Sequence, residues 1–198
     1  GGVGFLVAYL VFRKARLQFL ENQSLAKQRL RKLYFILADL TSSLSYERVI
    51  EKILDASFIA LDISKESTEK LICAVLFFTE DGSETPQLRT ASGRGLPRPD
   101  MLRRTPGMNG VLKNAIETGD PMVSREPRED PELKNFIAFR AVSSAYCIPL
   151  RVMLDTFGVL VFGHPDPGYF TTERRETLNI VSQQSTVALQ NAQLFQEL

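Results

Sequence analysis

Residues 144–162 read SAYCIPLRVMLDTFGVLVF. Two apolar, β-rich runs, Ser144 to Val152 and Phe157 to Phe162, lie either side of the short segment Met153-Leu154-Asp155-Thr156. That pattern predicts an antiparallel hairpin. Side chains alternate along a strand, so Ser144, Tyr146 and Ile148 share one face while Ala145 and Cys147 share the other. Which of the two faces would line a pocket is left open by the alternation. Strands joined as hairpins, and not as repeated strand-helix-strand units, predict an antiparallel sheet with helices beside it, an α+β body.

The flanking segments fit that body. Upstream, Leu71 to Thr79 (LICAVLFFT) is a continuous apolar run suited to a central strand covered on both faces. A turn at Glu80-Asp81-Gly82-Ser83 leads to a more polar strand, Gln87 to Ser92, which Gly93-Arg94-Gly95-Leu96-Pro97 breaks. Short helices are expected at Asp100 to Arg104, at Gly110 to Glu117 with Gly119 and Pro121 as stop signals, and at Glu132 to Phe139; a brief strand is expected at Met122-Val123-Ser124. A helix over Tyr46 to Leu61 shows Val49, Ile50, Ile53, Leu54, Phe58 and Leu61 at helical spacing, which suits packing on a sheet. Downstream, Thr171 to Leu198 is a long helix, with Thr171 or Thr172 as N-cap and Glu173 and Glu176 near its positive end.

Charge is distributed unevenly. Residues 1–32 hold Arg13, Lys14, Arg16, Lys27, Arg29, Arg31 and Lys32 against one acid, Glu21, although the 198-residue chain has a net charge of only +1. Ahead of this basic arm, residues 1–12 (GGVGFLVAYLVF) carry no charge. Twelve helical residues reach about 18 Å, short of a hydrocarbon core of roughly 30 Å. A signal peptide places its basic residues before the apolar run, and here they follow it. Residues 1–12 are therefore read as the cytoplasmic end of a transmembrane helix, with a positive-inside flank. The alternative is an apolar helix start that packs on a partner. Residues 13–32 are expected to form a basic helical connector. Phe19, Gln23, Ala26, Leu30, Leu33, Leu37, Leu40 and Leu44 step alternately by four and three, a heptad seam that predicts a parallel dimeric coiled coil. An amphipathic helix packed on its own domain would use the same residues.

Residues 33–198 resemble the GAF domain, a small-molecule-binding sensor module of bacterial signal-transduction proteins. The segments that carry the resemblance are Ala91-Ser92-Gly93-Arg94-Gly95-Leu96-Pro97, Asn109-Gly110-Val111-Leu112 through Thr118-Gly119-Asp120-Pro121, Asp130-Pro131, Val142 to Leu150, Phe157-Gly158-Val159-Leu160, Gly168-Tyr169-Phe170-Thr171 and the helix ending Val187 to Leu194. Their order and spacing are more specific than any one of them. The chain departs from the family at Arg125-Glu126, where an Asp is often found.

The resemblance implies a six-stranded antiparallel sheet with helices on one side. On the other side it implies a pocket roofed by residues 100–139, together with long N- and C-terminal helices. The candidates to line that pocket are Phe77, Ser92, Asn109, Met122, Phe136, Phe139, Tyr146 and Cys147. The resemblance also implies a homodimer through the first and last helices, with Leu30, Leu33, Leu37 and Leu40 from the first. From the last helix the candidates are Leu178, Val181, Ala188, Ala192 and Phe195, whose spacing independently forms a seam together with Ser185. A second seam runs through Ile180, Gln184, Val187, Asn191, Leu194 and Leu198. The last helix is expected to run on toward an output domain, and the whole to sit at the cytoplasmic face of the inner membrane.

Composition and motifs exclude several chemistries. Two cysteines and one histidine supply neither a disulfide framework nor most kinds of zinc site nor a nucleophilic triad, and no metal is expected. The near-neutral charge argues against nucleic acid as a partner. Cys73 is followed by Ala74 and Cys147 by Ile148, which disfavours a bilin thioether. The Asn-Lys-Phe-Asp-Glu signature of cyclic-nucleotide binders is absent. Haem would need an axial ligand, and His164 is expected in a surface loop. Both cysteines are expected to be inert core thiols, and Arg94, Arg98, Arg103, Arg104 and Lys113 a solvated basic surface. No phosphate-binding loop appears. Two non-enzymatic readings remain, a regulatory small-molecule sensor and a ligand-free dimerisation or spacer scaffold. A cavity with a few polar groups favours the first; a pocket filled with aromatic side chains favours the second.

Overall fold

The computed structural model describes residues 45–61, 70–79 and 85–196. The apolar start at residues 1–12, the connector at 13–32 and the seam residues Leu30, Leu33, Leu37 and Leu40 lie outside them. Among the described residues, no helix is long and apolar enough to cross a membrane.

Helix α1 (Tyr46–Ala60) leads into strands β1 (Ile72–Thr79) and β2 (Gln87–Arg94). A single-turn helix α2 (Arg98–Met101), the two-residue strand β3 (Arg104–Thr105), helix α3 (Gly110–Thr118) and strand β4 (Met122–Ser124) follow. Two 3₁₀ turns (Leu133–Asn135 and Ala138–Ala141) precede β5 (Ser144–Val152), β6 (Asp155–His164) and the 25-residue helix α4 (Thr172–Gln196). The strands form one sheet in the order β3-β2-β1-β6-β5-β4, every pair antiparallel. The largely apolar β1, buried from Ile72 to Leu76, is central, as a strand covered on both faces should be.

The hairpin that decides the fold is tighter than its sequence suggests. Val152 pairs with Asp155, so the turn is Met153 and Leu154 alone, and Thr156 already pairs with Arg151. Two-residue hairpin turns favour residues that tolerate positive φ, usually Gly or Asn. Here Met153 takes that role at φ 55°, so the usual turn signal is missing. Strand β3 was also unreadable, because two residues carry no periodicity. The region expected as one helix over Glu132 to Phe139 is two 3₁₀ turns instead, for a reason given by the roof carboxylates below.

Each face of the sheet has its own cover. On one side lie α1 and α4, packed on each other and on β1, β2 and β5. On the other, Ile72, Ala74, Leu76, Val159, Val161, Ala145 and Cys147 meet Val111, Leu112 and Ala115 of α3 and Leu133, Phe136, Phe139 and Val142 of the roof. Strand β6 reaches His164, which is 7% exposed. The expected surface-loop histidine is therefore a buried strand residue, because the strand continues past the Gly163 that reads as a breaker and pairs Gly163 and His164 with Ala145 and Ser144.

Candidate functional site

The roof is held by three buried carboxylates. Asp100, fully buried, accepts the backbone N–H groups of Ile137 (2.9 Å) and Ala138 (2.8 Å), while its own carbonyl accepts the Thr90 hydroxyl. Asp130 accepts the N–H of Val111 at the start of α3 (2.8 Å) and those of Glu132 and Leu133 (both 3.0 Å). Glu132 accepts the N–H groups of Gly107 (2.8 Å), Met108 (2.7 Å) and Asn109 (2.7 Å), and the Thr105 hydroxyl. Buried carboxylates are tolerated only when satisfied in this way. Asp130 takes the first N–H donors of one short turn and Asp100 those of the next, so each turn starts on its own carboxylate and the stretch is two 3₁₀ turns. At Gly110, φ is 61° and a Cβ would collide with the Asp130 carboxylate, so only glycine fits. Arg103 lies 3.5 Å from Asp100 and its guanidinium sits over the Phe136 ring at 5.8 Å, so this member of the expected basic surface is tied to the roof.

Strand alternation divides the candidate pocket residues between the two faces. Met122, Phe136, Phe139 and Cys147 come together between sheet and roof. Phe136 and Phe139 meet edge to face, with centroids 6.0 Å apart. With Leu112, Leu133 and Cys147 they are at most 1% exposed, which leaves no water-sized void against them. Phe77, Ser92 and Tyr146 point to the opposite face. Phe77 packs between Tyr46 of α1 and Phe157. The Ser92 hydroxyl donates to Glu51 of α1 (2.6 Å), beside an exposed Arg94 pairing with Glu51 and Asp55. Tyr146 donates to Asn179 of α4 (2.7 Å), and burial raises its phenol pKa above the usual value. Asn109 is exposed at the start of α3. Burial pushes both thiols, Cys73 and Cys147, far above the ordinary range, so neither presents a thiolate near neutral pH.

The seam candidates on α4 face inward. Leu178, Val181, Ala188 and Ala192 are at most 1% exposed within the chain, which leaves them no surface for a partner. The side chain of Phe195 lies outside the described part. The other seam of α4 is open: Ile180 is 43% and Val187 44% exposed.

Among the described residues, two clefts of similar size lie away from the space between sheet and roof. One, about 380 Å³, opens where β4 stops covering β5. Strand β4 pairs only with Ala145 to Cys147, so Ile148 and Pro149 form an uncovered edge. The walls are Pro121, Ile148 and Pro149, and the polar groups are Arg151 and, from α4, Asn179, Ser182, Gln183 and Thr186. These four helical residues fall at i, i+3, i+4 and i+7, one polar stripe beside the apolar seam. The stripe was visible in the sequence but gave no reason to prefer it over a solvated face until β5 was placed next to it. The second cleft, about 360 Å³, is lined by Tyr46, Val152, Asp155, Phe157, Leu189 and Gln193, among others.

Residues 43–190 match the family model described as the GAF domain. No curated protein matches the sequence. Among solved structures, the GAF domain of a phosphoenolpyruvate-protein phosphotransferase from Coxiella burnetii is similar, with a TM-score of 0.69 and 15% identity over 87% of this chain and 99% of that one. So are the GAF domain of a two-component sensor histidine kinase from Bacillus halodurans (TM-score 0.57, 15% identity, 74% and 97% covered) and a methyl-accepting chemotaxis protein, residues 122 to 287 (TM-score 0.62, 14% identity, 82% and 99% covered). At these identities the likeness is one of fold. With three quarters of the chain inside the family model and the six-stranded sheet and roof in place, the protein belongs to the GAF domain family.

Proposed function

We propose that the chain is a non-enzymatic input domain of a signalling protein, in which occupancy of a small-molecule cleft biases the packing of α4 and, through it, an output domain downstream. The observation that carries this reading is that the 380 Å³ cleft takes four of its polar groups from two turns of α4. Anything bound there touches the long helix directly, and a ligand that prefers one packing of that helix shifts its population. The solved neighbours named for a sensor histidine kinase and a chemotaxis protein support a signalling role. In this proposal the apolar residues 1–12 and the basic arm seat the chain at the cytoplasmic face of the inner membrane. A homodimer uses the N-terminal heptads and the open seam at Ile180 and Val187.

The test is hydrogen exchange of the full chain during a small-molecule screen. A ligand that slows exchange between Asn179 and Gln190 supports the input reading. A screen in which no compound changes α4 favours the second reading, a dimerising spacer. That alternative draws on the roof, where Phe136 and Phe139 occupy the space a ligand would need.

A further inference from the structure

Resting on the input reading, the ligand class can be narrowed from the charge and shape of the same cleft. Arg151 stands at the end of β5, half-buried. Its guanidinium lies over Gly119, the left-handed C-cap of α3, where a Cβ would collide with Nη1. Its Nη2 donates to the Leu154 carbonyl at 3.1 Å, which anchors the group to the hairpin turn. Its Nε is buried and has no hydrogen-bond partner. The buried Nε atoms of Arg103 and Arg175 are likewise without a hydrogen-bond partner; what sets Arg151 apart is its place on the cleft lining with no acidic side chain pairing with it among the described residues. An acceptor bound in the cleft would therefore meet a guanidinium that no acid of the described chain neutralises.

The rest of the cleft describes that acceptor. Pro121, Ile148 and Pro149 give it apolar walls. Asn179, Ser182 and Thr186 offer amide and hydroxyl groups on the facing helix. Asp120 is the one acid on the lining; it repels any anion and weighs most against a doubly charged one. A guanidinium fork matches a carboxylate in plane and spacing. The volume suits a small molecule and is near the lower end for ligand sites.

We infer that this edge cleft is a binding site for a small organic monocarboxylate with a short apolar body, its carboxylate on Arg151 and its body between Pro149 and α4. The ligand then bridges the end of β5 to two turns of the outgoing helix. The site lies outside the space between sheet and roof and uses none of the roof carboxylates Asp100, Asp130 and Glu132.

The test uses the full chain with butyrate, benzoate and inorganic phosphate as probes, followed by ligand-observed NMR. Saturable binding of at least one carboxylate is expected, with phosphate weaker. Arg151→Met should weaken carboxylate binding about tenfold or more, the scale of a lost charge-assisted hydrogen bond. Gln183→Trp should block the cleft from an exposed position without touching Arg151, so it keeps the test decisive where Arg151→Met unfolds. Absence of saturable carboxylate binding overturns the inference. So does binding that survives Gln183→Trp, or phosphate binding as tightly as either carboxylate. If the carboxylates fail while another screened compound slows exchange along α4, only the ligand class falls and the input reading stands.

Discussion

The Tyr146 hydroxyl donates to Asn179 Oδ1 at 2.7 Å and ties the first half of β5 to the second turn of α4. Asn179 also lines the edge cleft, so one amide joins sheet, helix and cleft. Tyr146→Phe removes this bond with little change of shape. A net loss of about 1 kcal/mol is expected from a single partly buried hydrogen bond. Urea denaturation reads the loss, and hydrogen exchange should quicken in the first half of α4 while the roof stays protected. Equal acceleration in both places would mean that the bond stabilises the whole domain and does not hold the helix locally.

Glu132 satisfies four donors from a single strand-to-helix connection, the Thr105 hydroxyl and three successive backbone N–H groups. Glu132→Gln keeps the volume but turns half of the acceptor into a donor and removes the charge that strengthens each bond. A loss of about 3 kcal/mol is expected, because buried N–H groups are then left unpaired. The measurement is the urea midpoint at constant slope. A change below about 0.5 kcal/mol, within the range of ordinary surface substitutions, would show that water replaces the carboxylate without penalty.

Much of this architecture could be read from single segments. The run Leu71 to Thr79 announces a strand covered on both sides, and β1 is central in the sheet. Gly119 with Pro121 announces the end of α3, and Gly119 is its left-handed cap at φ 71°. What stayed hidden depends on distant pairing. Tyr146 and Cys147 are neighbours in sequence and equally apolar in setting, and only the cover on each face decides which one meets the roof. The inward face of α4 has the same cause: Leu178 and Val181 read as a seam, but whether β5 or a second copy covers it is not written locally. Arg151 likewise carried no signal, since its meaning comes from Gly119, thirty-two positions earlier, and from the short reach of β4.

The open seam of α4 gives a prediction about association. Ile180 and Val187 stand one heptad apart and are both partly exposed. If the last helices pair through them, Val187→Lys places like charges across a two-fold axis and should weaken self-association about tenfold or more, the scale of 1.4 kcal/mol. The control is Gln183→Lys, off that seam, which should leave association unchanged. Sedimentation equilibrium decides between them. Equal effects of the two substitutions would remove this seam from the interface.

His164 should make stability depend on pH. Its ring stacks on Tyr169 at 3.7 Å, and the Arg174 guanidinium also lies over Tyr169, at 4.2 Å. Nδ1 accepts the Asp166 N–H at 3.0 Å, so a proton added there breaks that bond. Burial lowers the folded-state pKa; Asp166 opposes the shift, and Arg174 and Lys70 reinforce it. With the folded value below the unfolded one, the unfolded chain binds more protons between the two. Stability therefore falls as pH drops below the ordinary histidine value of 6.5 and levels off below the depressed folded value. His164→Gln keeps an acceptor for Asp166 and should flatten this part of the profile. An unchanged slope in the variant would assign the pH dependence to the carboxylates.

Phe136 separates a packed roof from a ligand chamber. It is 1% exposed, meets Phe139 edge to face and lies under the Arg103 guanidinium. Where such a ring is fully engaged, Phe→Ala removes its transfer energy and leaves a cavity, a loss of about 3–5 kcal/mol. Where a ring only closes a space meant for a ligand, neighbouring groups relax and the loss is smaller. The full value in urea, with α4 exchange unaffected by any compound that binds the truncated chamber, places the roof among the supports of the fold and leaves the edge cleft as the route to the helix. A loss below about 1 kcal/mol, or a compound that fills the wild-type chamber and slows α4, moves the input site beneath the roof instead.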